Sequence, residues 1–157
     1  MIVMAYHDTY HAPVSLTRCS NNYGPYHFPE KLIPLIINNI LAGKSLPVYG
    51  KGENVRDWLY VEDHCKAIDL VVRQGKEGEV YNVGSGRAIV IQEILDRIIA
   101  HSGKEITVEV DPAKLRPVEV PVIRADISKL QADTGWQPEI PLEQTIAETL
   151  EYWKQHI

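Results

Sequence analysis

The sequence predicts an α/β protein, a small and partly parallel sheet with helices on its flanks. Two observations predict it. Short runs rich in branched apolar residues (14–17, 46–49, 79–83 and 106–110) alternate with longer stretches whose apolar residues recur at helical spacing. Glycine, proline and asparagine stand at the junctions between them, where the chain has to turn.

In chain order, residues 1–11 read as the end of a helix with Ile2, Val3, Ala5 and Tyr6 on its apolar side. Residues 14–17 (VSLT) read as a short buried strand that runs into a polar loop holding Asn21 and Asn22. From Glu30 to Leu41, Ile33, Ile36, Ile37, Ile40 and Leu41 form the stripe of an amphipathic helix. Pro29 suits its first turn, Pro34 is expected to kink its interior, and Gly43 fits the C-cap. Residues 46–49 form one extended segment. Val61, Cys65, Ile68 and Val72 line one face of a third helix ended by Gly75, with Glu62 and Asp63 at the positive end of its dipole. That acidic pair could also be an acid/base dyad, but helix-start chemistry is the plainer reading. EVYNV (79–83) is a strand, followed by the turn Gly84-Ser85-Gly86. Ile91, Ile94, Leu95, Ile98 and Ile99 mark the clearest helix, closed by Gly103. Residues 106–110 alternate as a half-buried strand. Asp126 and Ser128 suit the N-cap of a short helix through Asp133. Leu142, Ile146, Leu150 and Trp153 line the last helix. No repeat, low-complexity run or linker interrupts the chain, so residues 1–157 are expected to form a single unit.

Composition narrows the function classes. A net charge of -5 disfavours nucleic acid, whose phosphate backbone calls for a basic surface. No apolar run is long enough for a membrane span, and the start MIVMAYHDTYH lacks the pattern of a secretory leader, so the cytoplasm is the expected compartment. Cys19 and Cys65 form no Cys-x-x-Cys, which removes the usual zinc and disulfide readings. His7 and His11 have a metal-compatible spacing but no third ligand, and read as a solvated helix surface, so no metal is expected.

The chemistry concentrates between Arg18 and His64. Polar groups at the carboxyl end of a strand, with an arginine brought back by a later loop, suit a ligand crevice in an α/β sheet. Gly84-Ser85-Gly86-Arg87-Ala88-Ile89 begins like a dinucleotide fingerprint, but Ile89 stands where the third glycine belongs. No tyrosine has a lysine four residues on, and there is no Gly-x-Ser-x-Gly elbow or P-loop. Trp58 and Tyr60 read as core residues, and Tyr23-Gly24-Pro25 as a loop-shaping segment. Asn82 could reach a site or hold the glycine turn that follows it.

Arg18-x-x-Asn21-x-Tyr23-Gly24-Pro25, Pro29-Glu30-Lys31-Leu32-Ile33-Pro34, Pro47-Val48-Tyr49-Gly50-x-Gly52 and Arg56-Asp57-Trp58-x-Tyr60-Val61-x-Asp63-His64 resemble the C-terminal half of nucleotide-sugar 4,6-dehydratases. These are extended short-chain dehydrogenase/reductases, and the dTDP-glucose branch is nearest over this stretch. Beyond Glu79, Asp111-Pro112-x-x-x-Arg116-Pro117-x-Glu119-Val120 and Thr134-Gly135-Trp136-x-Pro138 are more similar to the GDP-mannose dehydratases and GDP-4-keto-6-deoxymannose reductases. Val90 stands where these families usually place a hydroxyl, and the base preference stays open at this point.

The resemblance implies the C-terminal portion of a Rossmann-like fold and the binding of a nucleotide diphosphate sugar. Asn21 would then hydrogen-bond the sugar-nucleotide, and Asn22 would touch the nicotinamide side of NAD. Lys31 and Leu32 would lie against the nucleotide, Pro47, Val48 and Tyr49 would edge the base, and Arg56 and Arg116 would bind the two phosphates. Planar guanidinium forks suit that last role, although Arg56 could instead pair with Asp57 or Glu62, and Arg116 could be a surface arginine. In the family the glycine-rich loop and the Tyr-x-x-x-Lys pair lie upstream of the matching region, so none of the residues here is expected to be catalytic. The chain is expected to be inert alone, with NAD belonging to the complete enzyme. A stand-alone binding or assembly module, a 4-keto reductase and an epimerase are the other readings. An unpaired strand edge around residues 14–17 leads us to expect self-association or completion by an N-terminal half.

Overall fold

The computed structural model describes residues 2–49, 53–111 and 120–156, and gives only the backbone of 47–49 and 109–111. Six helices and eight short strands lie within them: α1 (Ile2–Tyr10), β1 (Leu16–Cys19), β2 (Asn21–Tyr23), α2 (Leu32–Leu41), β3 (Leu46–Tyr49), β4 (Val55–Arg56), β5 (Trp58–Tyr60), α3 (Val61–Gln74), β6 (Val80–Val83), β7 (Ile89–Val90), α4 (Ile91–Ser102), β8 (Val108–Asp111), α5 (Ser128–Thr134) and α6 (Leu142–Gln155). The strands pair two by two, β1 with β6 and β3 with β8 in parallel, β4 with β7 antiparallel, and β2 with β5. This is the α/β class with parallel pairing and flanking helices that the alternating pattern predicts.

The chain divides into two compact units, each threaded from three stretches: Met1–Asn22, Asp57–Arg87 and Arg124–Glu139 in the first, Tyr23–Arg56, Ala88–Ile123 and Ile140–Ile157 in the second. Because the stretches interleave, no linker marks a boundary in the sequence.

The first unit builds its core on the β1–β6 pair and on β5, α3 and α5. Leu59, Ala67, Val71, Tyr81, Val83, Ile127, Leu130 and Trp136 form one buried cluster. Tyr81 is the largest side chain wholly inside, and its hydroxyl stays satisfied by donating to Asp133 Oδ2 at 2.9 Å and accepting from Lys76 N at 2.9 Å. Trp58 and Tyr60 are buried, as their apolar context predicts.

The second unit packs α2, α4 and α6 together. Ile33, Ile36, Ile37 and Ile40 of α2 meet Ile94, Leu95 and Ile98 of α4 and Ile146, Leu150 and Trp153 of α6, all of them buried. The predicted stripes of these helices are therefore the faces that pack. Tyr23 is buried in this unit and hydrogen-bonds Thr145, which anchors the loop that begins at Tyr23-Gly24-Pro25. Thr145 and Thr149 are also buried, and their hydroxyls donate back to Leu142 O (2.9 Å) and Thr145 O (2.6 Å).

Several expectations shift. The first strand begins at Leu16, two residues after the predicted start. α2 begins at Leu32, so Pro34 falls in the first turn, where its missing N–H costs no helical bond, and it does not kink the interior. Ala42 is the C-cap residue of α2, with Gly43 following at φ +66°.

The largest correction concerns α3. Its buried residues are Asp63, Ala67 and Val71, while Cys65 is exposed and Ile68 and Val72 are 41% and 79% exposed. Two apolar stripes compete on this helix, and the core takes the one carrying the small Ala67, which lets α3 lie close to β5 and α5. In urea titrations, Val71→Ala should lower stability by about 2 kcal/mol, whereas Val72→Ala should stay within about 0.5 kcal/mol.

Candidate functional site

The first unit carries Asn21 and Asn22 out of the end of β1. Ser20 N closes the ladder by donating to Val83 O at 2.8 Å, and Asn21 N donates to the carbonyl of Asp57 at 3.2 Å. The Asn21 side chain is exposed, while Asn22 is half-buried. Asn22 Oδ1 is wholly buried and has no hydrogen-bond partner among the described residues. An acceptor left bare in this way costs about 1–3 kcal/mol, which is the mark of a group held for a ligand or a water.

Beside these asparagines lies a group that sequence reasoning treated only as a possible partner of Arg56. The Asp57 carboxylate is 1% exposed and is surrounded by donors. Oδ1 accepts from Ser20 Oγ at 3.2 Å and from both Ser85 N and Ser85 Oγ at 2.7 Å. Oδ2 accepts from Gly86 N and Ala125 N, each at 3.1 Å. This arrangement explains why Gly84-Ser85-Gly86 begins like a phosphate-binding loop without completing the pattern. Two of its backbone N–H groups point at an anion, and that anion is the protein's own carboxylate. Gly84 sits so close that a Cβ there would lie 2.6 Å from Ala125 Cβ and 2.7 Å from Asp57 Oδ2. The readable signal was a lone acid, flanked by the buried run Trp58-Leu59-Tyr60, in a chain that also supplies a serine-glycine turn.

Asp63, the other buried carboxylate of this unit, accepts Glu139 N at 3.2 Å, and Lys66 Nζ lies 3.6 Å from its Oδ1. It ties the start of α3 to a later loop, which favours the structural reading of the Glu62–Asp63 pair. Asn82 donates to Asp126 O at 3.3 Å and so anchors the approach to α5.

The second unit carries the other residues. Arg56, in β4, lies opposite Ile89 of β7, and its Nη1 donates to the carbonyls of Val55 (2.8 Å) and Val120 (2.9 Å). The backbone around it is held by Val55 N to Pro121 O at 2.8 Å and Ile123 N to Val55 O at 3.0 Å. Lys31 is the exposed N-cap residue of α2, with its N–H on Phe28 O at 3.0 Å and its carbonyl accepting Leu35 N at 2.9 Å. Leu32 follows, half-buried. Pro47, Val48 and Tyr49 lie in β3, in register with Glu109, Val110 and Asp111 of β8, and their side chains are outside the described residues, as is Arg116 entirely. The predicted site residues that are described are thus shared out: Asn21 and Asn22 in the first unit, and Lys31, Leu32, Pro47, Val48, Tyr49 and Arg56 in the second.

His27, near Lys31, was not singled out from the sequence. Its Nδ1 is buried without a partner among the described residues, and burial, reinforced by the Lys31 charge, holds its pKa below the ordinary 6.5. Burial lowers His64 likewise. No cluster of His, Cys, Asp or Glu able to hold a metal, and no helix long and apolar enough to cross a membrane, lies among the described residues.

Comparison with known proteins places these features in a wider set. The family model described as GDP-mannose 4,6 dehydratase matches residues 1–149. A dTDP-glucose 4,6-dehydratase from Xanthomonas campestris is 46% identical over 97% of this chain and 46% of its own length. The crystal structure of dTDP-glucose 4,6-dehydratase from Bacillus anthracis in complex with NAD superposes with a TM-score of 0.88 at 44% identity, covering 99% of this chain and 49% of that one. UDP-glucuronic acid 4-epimerase from Bacillus cereus, in complex with UDP-glucuronic acid and NAD, gives a TM-score of 0.90 at 28% identity, covering 98% of this chain and 49% of that one. The chain spans about half the length of the curated relatives it matches.

Replacing Asp57 by Ala orphans the donors of Ser85, Gly86 and Ala125 together and should lower the unfolding free energy by at least about 3 kcal/mol, measured by urea titration. For the histidines the folded pKa lies below the unfolded value, so the unfolded state binds more protons. Stability should therefore be greatest above pH 6.5 and fall as the pH drops below it, toward the lowered folded values. His27→Asn should flatten part of that slope in urea titrations at several pH values.

Proposed function

The chain belongs to the GDP-mannose 4,6-dehydratase family, and from that membership we propose that it is the nucleotide-sugar-binding portion of an NAD-dependent 4,6-dehydratase whose substrate is dTDP-glucose. The observation that carries the choice of base and reaction is the level of identity. It is 46% over nearly the whole chain with a dTDP-glucose 4,6-dehydratase, against 28% with an epimerase of equal structural likeness.

In this reading Arg56 and Arg116 bind the diphosphate, because a guanidinium fork matches two phosphate oxygens and each such charge-assisted contact contributes about 1.5–3 kcal/mol. The Nη1 bonds of Arg56 to backbone carbonyls support that role by fixing the plane of the fork before ligand arrives. Asn21, exposed beyond the end of β1, hydrogen-bonds the sugar-nucleotide. Lys31 and Leu32 lie against the nucleotide, and Pro47, Val48 and Tyr49 edge the thymine. Asn22 is the residue for NAD. Its Oδ1, buried and without a partner among the described residues, suits the carboxamide N–H of a nicotinamide, and NAD when bound would supply the chemistry of accepting a hydride and returning it. Asp57 acts beneath them by holding the main chain of Asn21.

Such a reaction also needs a tyrosine of lowered pKa to take the hydroxyl proton, supported by a lysine four residues on. No such pair occurs in this sequence. We therefore assign binding, and not turnover, to this chain by itself.

Isothermal titration with dTDP, UDP and GDP tests the reading, and dTDP should bind tightest. Arg56→Ala should weaken that binding about 10- to 100-fold with an unchanged circular dichroism spectrum. A preference for GDP, binding of none of the three, or a 4-keto product formed by this chain from NAD and dTDP-glucose would overturn it.

A further inference from the structure

Asp57 grips two consecutive residues at the exit of β1. Its main-chain carbonyl accepts from Asn21 N at 3.2 Å, and its carboxylate accepts from Ser20 Oγ, also at 3.2 Å. The Asn21 side chain is exposed and has no hydrogen bond of its own among the described residues, so the backbone beneath it sets its aim. The other donors to the carboxylate are Ser85 N and Oγ on Oδ1, and Gly86 N and Ala125 N on Oδ2. All of these residues belong to the first unit, whereas Lys31 and Arg56 belong to the second. There the Arg56 guanidinium is held by the carbonyls of Val55 and Val120. The bonds that fix Asn21 and the bonds that fix Arg56 thus form separate sets.

We propose that Asp57 is a positioning residue for the glycosyl end of the ligand: its negative charge sets the aim of Asn21, and through it the discrimination between dTDP-glucose and dTDP. The proposal rests on the reading of Asn21 and Asn22 given above. In that reading Asn22 meets the nicotinamide, and a hydride passes only between a nicotinamide and the sugar carbon beside it, so the adjacent Asn21 meets the sugar. Asp57 is 1% exposed and acts without touching the ligand. Charge is the operative property, because five donors converge on its two oxygens. An amide of the same size keeps one acceptor and turns an NH2 group toward the donors at the other oxygen. N–H groups then face N–H groups, and either the Ser85–Gly86 turn or Ser20 has to shift. One peptide bond joins Ser20 to Asn21, so a shift there misaligns the Asn21 amide, and a hydrogen bond weakens steeply with misalignment.

Isothermal titration of the chain and of its Asp57→Asn variant, each with dTDP and with dTDP-glucose, tests this. The variant should lose about five- to tenfold more affinity for dTDP-glucose than for dTDP, the equivalent of one hydrogen bond. A purely structural role would deplete the folded population and weaken both ligands by the same factor. Asn21→Ala should give the same selective loss, and the double variant should lose no more than either single one, because both act through one contact. Ser20→Ala removes a donor and no charge. It should repeat the selective loss at about twofold, and it carries the test if Asp57→Asn does not fold. Equal losses for the two ligands, additive losses in the double variant, or a Ser20→Ala chain with the parent's ratio of affinities would each overturn the proposal while leaving the assignment of dTDP intact. A parent chain that binds neither ligand would overturn it together with that assignment.

Discussion

The buried carboxylate of Asp57 is the constraint on which the first unit depends. A charge removed from water is tolerated only where donors replace its hydration. Here they come from Ser20, from the Ser85–Gly86 turn and from Ala125, three stretches far apart in sequence. One side chain thus fixes the exit of β1, the turn after β6 and the approach to α5. Gly84 follows as a necessity, because no side chain fits between Ala125 and the carboxylate. The main-chain carbonyl of the same residue holds Asn21. The placement of the asparagines that open β2 is therefore a consequence of how this acid is satisfied.

The second unit rests on a different principle. Its helices α2, α4 and α6 share an apolar interior of isoleucines, leucines and Trp153, and polar groups enter that interior only where they are closed by short-range bonds, as at Thr145 and Thr149. Arg56 stands outside this interior, on a strand pair whose backbone is tied down by residues 120–123. A rigid backbone under a long cation suits the phosphate-binding role proposed for Arg56, since ordering a free arginine would offset much of the contact energy.

α3 shows how the core chooses between two faces of one helix. Both of its stripes, Val61-Cys65-Ile68-Val72 and Asp63-Ala67-Val71, carry apolar residues. A helix apolar on two sides belongs between two layers. Among the described residues the core takes the second of these stripes, with Ala67 and Val71 buried and Ile68 and Val72 exposed.

The sequence by itself determined the elements whose information is local. Helical spacing located α2, α4 and α6 and the faces they bury, glycine located the ends of α2 and α4, and the motif around Arg56-Asp57-Trp58 located the family. What only the tertiary structure decided were choices among locally equivalent options: which stripe of α3 is core, that Pro34 sits in a first turn, and that the Ser85–Gly86 amides serve Asp57. The same is true of Asn22 Oδ1 and His27 Nδ1, whose burial without a partner among the described residues is a property of packing. The physical reason is range. Periodicity and capping act within a few residues, whereas the donors of Asp57 lie up to 68 positions away and are paired with it only once the chain has closed.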